Sequence, residues 1–431
     1  MNMIKNRTVI HREIFRYCLL GIAILLPIYG PIVPSVIVLM VLNWVIEGRF
    51  GQKFHALLFE RSRRLTLAFG LIYILYIAGL LHTFNFDYGL FDLEVKLSLL
   101  IFPLVFSTSD IESFSAKRRQ ELLLFFVLGC LAGSLLLIGR AFVATIFDRE
   151  SDAFFYGSLS WYFHSSYLSM YYNFAIVVIF DHLISANWKK NINRRLAESG
   201  LILWFLFLVF LLSSKAGFLS LGGILLFFSG ILVFQHKNWL GGILILTLGT
   251  LIFTSMYELI PGPLQRLENA GKVVRSESGT LSHSSESTAE RLSIWEVSTE
   301  IIKEHYLIGV GTGDVKDELL TKYSQKGMGT ALDKKLNVHC QYLQTFVALG
   351  IAGFVVLVLM LVLPGIMSIR RNDIIYLLFL AIFAFNILVE SMFETQAGVV
   401  FYAFFNAFLF ISMTSNRRDI TCDVLKKKLP L

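Results

Sequence analysis

Long apolar runs recur along this chain, and the charged residues gather in the short segments between them. A helix that crosses about 30 Å of hydrocarbon needs roughly 20 such residues. The pattern therefore predicts an all-α polytopic membrane protein. Counting on that basis gives about twelve transmembrane helices. They fall near residues 14–29, 31–46, 65–82, 92–107, 121–144 and 163–184, as a pair within 201–234, and near 240–257, 340–367, 373–392 and 397–415. The run from Leu201 to Phe234 would reach about 50 Å as one helix. Ser213-Ser214-Lys215-Ala216-Gly217 interrupts it, so this stretch reads as a tight helical hairpin.

Composition agrees. Only 16% of the residues are charged, against about 25% in soluble domains. The four cysteines are scattered and form no C-x-x-C pair, so they supply neither a disulfide framework nor a metal site. Basic residues precede the first apolar run, but Pro27, Pro31 and Pro34 stand where a cleavage site would be, which reads as a retained first helix. Four regions follow: transmembrane helices over 1–257 (about nine spans), a polar loop with short helices over 258–338, about three more spans over 339–415, and a basic tail over 416–431.

With the N-terminus in the cytoplasm, the inner segments hold most of the Lys and Arg, including SAKRRQ, WKKNINRR, IRRN and the tail. The net charge of +7 is then a topology signal with no nucleic-acid partner to explain. Lys215, His164, the acidic DRESD at 148–152, the whole of 258–338, His339 and Glu394 all fall on the outer face.

That outer segment contains the candidate chemistry. Its middle, SESGTLSHSSEST, reads as a loop; Ser287 and Glu290 fit a capping box that opens a helix through about Tyr306. Leu292, Trp295, Thr299, Ile302 and Tyr306 are its less polar stripe, and Asp314 is placed to cap a second helix. Arg291, in the first turn, suits bidentate binding of phosphate, and a helix dipole gives a cation little reason to stand there. Stacking on Trp295 or pairing with a nearby Glu is the plainer role. His339 lies about two turns above the apolar part of its helix, where a neutral imidazole could deprotonate a hydroxyl or simply occupy the interface. On that helix it shares a face with Tyr342, Leu343 and Phe346, while Gln341 and Gln344 point elsewhere. Lys215 violates the inside rule, and snorkelling to lipid is its plainer role. Lys96 and Arg140 fall inside or near the ends of spans, where charge usually faces a cavity. Glu390 and Glu394, one turn apart, could form a polar pair. Gly309-Val310-Gly311-Thr312-Gly313 follows a helix and reads as a turn in place of a phosphate loop.

Together these residues resemble the O-antigen ligase family, with its related O-antigen polymerases and bacterial O-oligosaccharyltransferases. The carriers are R-x-x-x-W at Arg291–Trp295, the G-V-G-T-G-D run, V-H-C-Q-Y-L-Q followed by G-I-A-G, and E-S-M-F-E-T-Q-A-G at 390–398. S-S-K-A-G resembles the family's S-R-G element with Lys215 in place of Arg, and Cys340 stands where Asn is usual. The resemblance covers roughly 200–415. It implies a GT-C-like fold and a metal-independent inverting glycosyltransferase of the bacterial inner membrane that needs no cofactor. The donor would be a glycan on undecaprenyl diphosphate, and the acceptor a lipid A-core sugar, another glycan or a protein hydroxyl. His339 would be the general base, and Arg291 and Lys215 would bind the diphosphate. His164, Gln341, Tyr342, Glu394, Lys96 and Arg140 are candidates for supporting roles. A polymerase is the alternative within this chemistry, and a transporter or flippase the alternative outside it.

Overall fold

The computed structural model describes residues 2–150, 153–185, 192–259 and 288–428, and every regular element among them is helical. Ser287 and most of the SESGTLSHSSEST stretch lie outside the described residues, so the capping box does too. Eight helices are long and apolar enough to cross a membrane: Gly30–Glu47, Arg61–His82, Ala116–Asp148, Ser165–Ile184, Ile192–Leu212, Lys215–Gln235, Gln341–Arg371 and Gln396–Ser415. Trp239–Leu251 and Ile374–Val389 are shorter apolar helices. This is the make-up of a polytopic membrane protein. The stretch expected to span near 92–107 is divided between Phe86–Lys96 and Ser98–Thr108.

The C-terminal helix, Gln396–Lys428, is the hub. Residues 398–413 are buried on every side. An apolar helix with no polar face can look to lipid or be sheathed by other helices, and phenylalanine contacts settle it. Phe404 meets Phe102 and Phe106, Phe405 meets Phe126 and Phe174, and Phe401 meets Phe379, with ring centroids 4.9 to 5.9 Å apart. Such edge-on or tilted pairs suit the ring quadrupole. A buried polar side chain amid these rings, Asn406, accepts from the Tyr376 hydroxyl at 2.6 Å and donates to Tyr402 at 3.3 Å.

The hairpin turn forms where the sequence places it. One helix ends at Leu212, the next starts at Lys215, and Ser213 takes the left-handed conformation with φ 47°. Ser214 caps the second helix by accepting from the Gly217 amide at 3.2 Å. Both arms pack on Ser165–Ser185. Gly217 is required there, since a Cβ would stand 2.5 Å from that of Ser169.

The glycine run has a structural reason. The helix Gln341–Arg371 is kinked at Gly350, whose φ is 62°. Val310 and Gly311 donate their amides to the Val347 and Ala348 carbonyls at 2.9 and 3.1 Å, and Ile351 donates to the Tyr306 carbonyl at 3.0 Å. A Cβ on Gly309 or on Gly350 would come within 2.4 Å of the opposing backbone carbonyl. The run is a backbone dock on a kinked helix. Asp314 differs from expectation: its carboxylate accepts from the Phe84 and Asn85 amides at 2.8 and 2.7 Å, across the fold, and makes no side-chain cap on its own helix, Val315–Gln325.

Candidate active site

The helix carrying Arg291 runs from Thr288 to Glu304. Its buried side is Ile294, Val297, Ser298 and Ile301, with Ile302. Of the expected stripe, Ile302 is buried and Trp295 half-buried, while Leu292, Thr299 and Tyr306 are exposed. A small serine takes part in the packed face instead. Trp295 donates its indole N–H to the Val338 carbonyl at 3.0 Å. One turn earlier, Arg291 donates to the Val389 carbonyl at 2.8 Å. Val389 ends its own helix, Ile374–Val389, so the guanidinium sits at a C-terminus, where a cation is favoured. The unfavourable position on one helix is offset by a favourable one on another.

His339 is not in a helix. Its φ is 51°, and the helix begins at Gln341 after a Cys340 cap. The face shared with Tyr342 therefore does not exist. Gln341 is wholly buried and structural: its carbonyl oxygen accepts from the Phe393 amide at 2.7 Å and its amide donates to Thr345 at 3.0 Å. Tyr342 reaches the Ala384 carbonyl at 3.5 Å and lines neither cavity described below. Neither residue joins the site directly.

Glu390, the first residue past Val389, gathers the site. One carboxylate oxygen lies 3.4 Å from His339 Nδ1; the other lies 3.8 Å from Arg291 Nη2 and 3.9 Å from His164 Nδ1. Burial of the carboxylate raises its pKa, but the His339 hydrogen bond and the charges of His164, Arg291 and His339 outweigh it and hold the group below its ordinary 4.5. At such distances a charge pair is worth about 4 kcal/mol near a protein surface, before desolvation. Glu394 does not pair with Glu390. It turns away to Lys96, which is wholly buried and also bridges to Asp92.

Two cavities flank this carboxylate. The larger, about 450 Å³, is lined by Lys215, Arg291, Lys334 and His164 among others. The smaller, about 290 Å³, is lined by His339, Asp92, Glu394 and Asn337 among others. Arg140 lines neither; it donates to the Ser158 carbonyl at 2.8 Å and lies 5.2 Å from the ring of Trp161, a wall of the larger cavity. Three ligand-type side chains, Glu304, His305 and Glu318, approach one another outside both cavities, and Lys322 holds Glu304 there at 2.6 Å.

Residues 200–358 match the family model described as O-antigen ligase. This part of the chain is similar to the O-antigen ligase family. The matched segment contains Lys215, Arg291 and His339, whereas His164, Glu390 and Glu394 come from outside it. A protein of Haemophilus influenzae described only as uncharacterized is 26% identical over 138 residues, which is 31% of this chain and 35% of that protein. The match thus spans about a third of either one. Lys334 and Asp92 were not anticipated as site residues, and Glu390 was considered only as a polar pair with Glu394. Glu390 stands inside the E-S-M-F-E-T-Q motif, which was the signal available for it.

Proposed function

We propose that the protein is a glycosyltransferase that moves a glycan from undecaprenyl diphosphate to an acceptor hydroxyl, as an O-antigen ligase does. The observation that carries this reading is Glu390, which touches both the histidine of one cavity and the arginine of the other. The larger cavity, lined by Lys215, Arg291 and Lys334, suits a diphosphate. A hydroxyl in the smaller cavity would meet His339.

With His339 Nδ1–H donated to Glu390, Nε2 carries the lone pair that accepts a proton. The acceptor O–H then attacks C1 of the donor sugar, and its proton passes to His339. The C1–O bond to the diphosphate breaks, and the leaving group keeps the electron pair. Arg291 and Lys215 stabilise the charge that develops there. Attack opposite the leaving group inverts C1, and nothing in the step requires a metal or a cofactor. Because Lys215 is a point charge, the bidentate part of this work belongs to Arg291.

The topology that goes with this reading puts both termini in the cytoplasm and the site on the periplasmic side of the inner membrane. A GT-C-like arrangement of twelve spans belongs to the same reading, with the first helix, the two shorter apolar helices and the 86–108 stretch joining the eight long spans. The division into spans over 1–257 and 339–415 with a periplasmic segment between them belongs to the same proposal.

His339→Ala and Arg291→Ala should each lower glycan transfer by about 10²–10⁴-fold while leaving membrane insertion unchanged. Normal surface glycan in a well-expressed His339→Ala strain would sink the base assignment. Purified lipid-linked glycan, supplied with and without lipid A-core, separates ligation from polymerisation, which the same geometry also serves.

A further inference from the structure

The two cavities differ in charge. The charged lining of the larger one is Lys215, Arg291 and Lys334, and no carboxylate lines it among the described residues. Asp92 and Glu394 stand in the wall of the smaller one, with Lys316 and Lys335, two tyrosines and His339. No carboxylate opposes a diphosphate in the first, whereas both signs of charge line the second, which suits an uncharged ring.

Beneath those carboxylates is Lys96, wholly buried, with its ammonium 4.9 Å from the ring centre of Tyr76. It takes one oxygen from each acid: Oδ1 of Asp92, and Oε1 of Glu394 at 3.1 Å. Among the described residues, Asp92 Oδ2 and Glu394 Oε2 have no hydrogen-bond partner. One carboxylate would suffice to neutralise a buried lysine. The second carboxylate is then balanced only by Lys316 and Lys335 elsewhere in the lining, and burying its free oxygen is costly unless hydroxyl donors satisfy it. An ionised carboxylate only accepts hydrogen bonds, and an ammonium only donates. A ring bearing hydroxyls can serve both. Tyr88, half-buried with Lys316 Nζ 5.5 Å from its ring centre, offers an aromatic wall for the ring's apolar side.

We infer that the smaller cavity is the acceptor-sugar subsite, and that it takes an uncharged sugar ring. Asp92 and Glu394 accept its hydroxyl hydrogens, Lys316 and Lys335 donate to its oxygens, and one hydroxyl is left facing His339. Lys96 acts through the two carboxylates as a positioning residue. At about 290 Å³ the cavity lies at the small end of ligand sites, which run to about 300–1,000 Å³, so it admits a terminal ring rather than a long stretch of glycan. The inference rests on the glycosyl-transfer reading above, but its test does not.

The test is saturation-transfer NMR on the full-length protein in nanodiscs, with methyl glucoside as the neutral probe and methyl glucuronide as the anionic one. The glucoside should bind, and the glucuronide roughly tenfold more weakly. Asp92→Asn and Glu394→Gln should each weaken glucoside binding roughly tenfold, the effect of removing a hydrogen bond to a charged group. If Asp92→Asn does not accumulate because Lys96 is buried beside it, Glu394→Gln and Tyr88→Leu carry the test. Glucuronide binding as tight as glucoside, or wild-type glucoside binding in these variants, would overturn the inference. No donor is present in this measurement. Failure to bind therefore removes the subsite, while surface glycan in the His339→Ala strain decides the transfer reading separately.

Discussion

At the end of the bundle away from the cavities, charge is matched nearly group for group. Arg16 and Arg118 share Glu13 and Glu121, Arg119 grips Asp373 with both nitrogens at 2.5 and 2.6 Å, and Arg63 donates to the Ser107 and Ser109 carbonyls at the end of a helix. At the cavity end, Arg291, His339 and His164 converge on the single carboxylate of Glu390, and Lys215 and Lys334 line the larger cavity beside them. The first arrangement is self-contained. The second gathers several cationic or basic groups round one carboxylate beside a cavity, and that difference is what the proposed site rests on.

Changing Glu390 should separate the two ends most sharply. Glu390→Gln removes the negative charge that orients His339 and offsets Arg291, so glycan transfer should fall by about 10²-fold, with little loss of folded protein. Because its folded pKa is depressed, the stability that Glu390 contributes is fully present above about pH 4.5 and is lost as pH falls through the lowered folded value. Wild type and variant should therefore converge in thermal stability only in acid. A variant as active as wild type would show that the carboxylate belongs with the scaffold.

Arg119→Ala tests the other end. It leaves Asp373 unpaired where both side chains are nearly buried, at a cost on the order of 3 kcal/mol. The melting temperature in detergent should fall, while transfer per folded molecule stays at the wild-type level. Lost transfer at full stability would erase the distinction. The smallest effect is expected from Lys215→Arg, which keeps the charge on the wall of the larger cavity and adds a bidentate fork. Transfer should stay within a few-fold of wild type, measured as surface glycan per protein; an inactive but folded variant would mean that the turn geometry at Ser213 excludes the longer head group.

The residues proposed to react stood out because they sit in short motifs with distinct chemistry: Lys215 in a polar break between apolar runs, Arg291 and Trp295 one turn apart, and His339 at an apolar boundary. Their partners were not. Glu390 acquires its role because the helix stops at Val389, and that single residue decides whether the carboxylate points along its own helix or across to Arg291. Gln341 and Tyr342 looked functional by adjacency, but the left-handed turn at His339 sends them into packing. Helical periodicity cannot register a turn of that kind. The long apolar runs were read well, whereas Lys96 ended up buried between two acids because the apolar run around it divides into two short helices.

The dock between the glycine run and the kink at Gly350 fixes the chain just after the Arg291 helix to the helix that follows His339. Arg291 and His339 are thereby referred to one frame, and the stretch between, which contributes Lys316, Lys335 and Asn337 to the smaller cavity, is a bracket hung on it. The arginine and the histidine keep their spacing through the dock, and Asn337, which accepts from the His339 amide at 3.0 Å, ties the end of the bracket to the histidine.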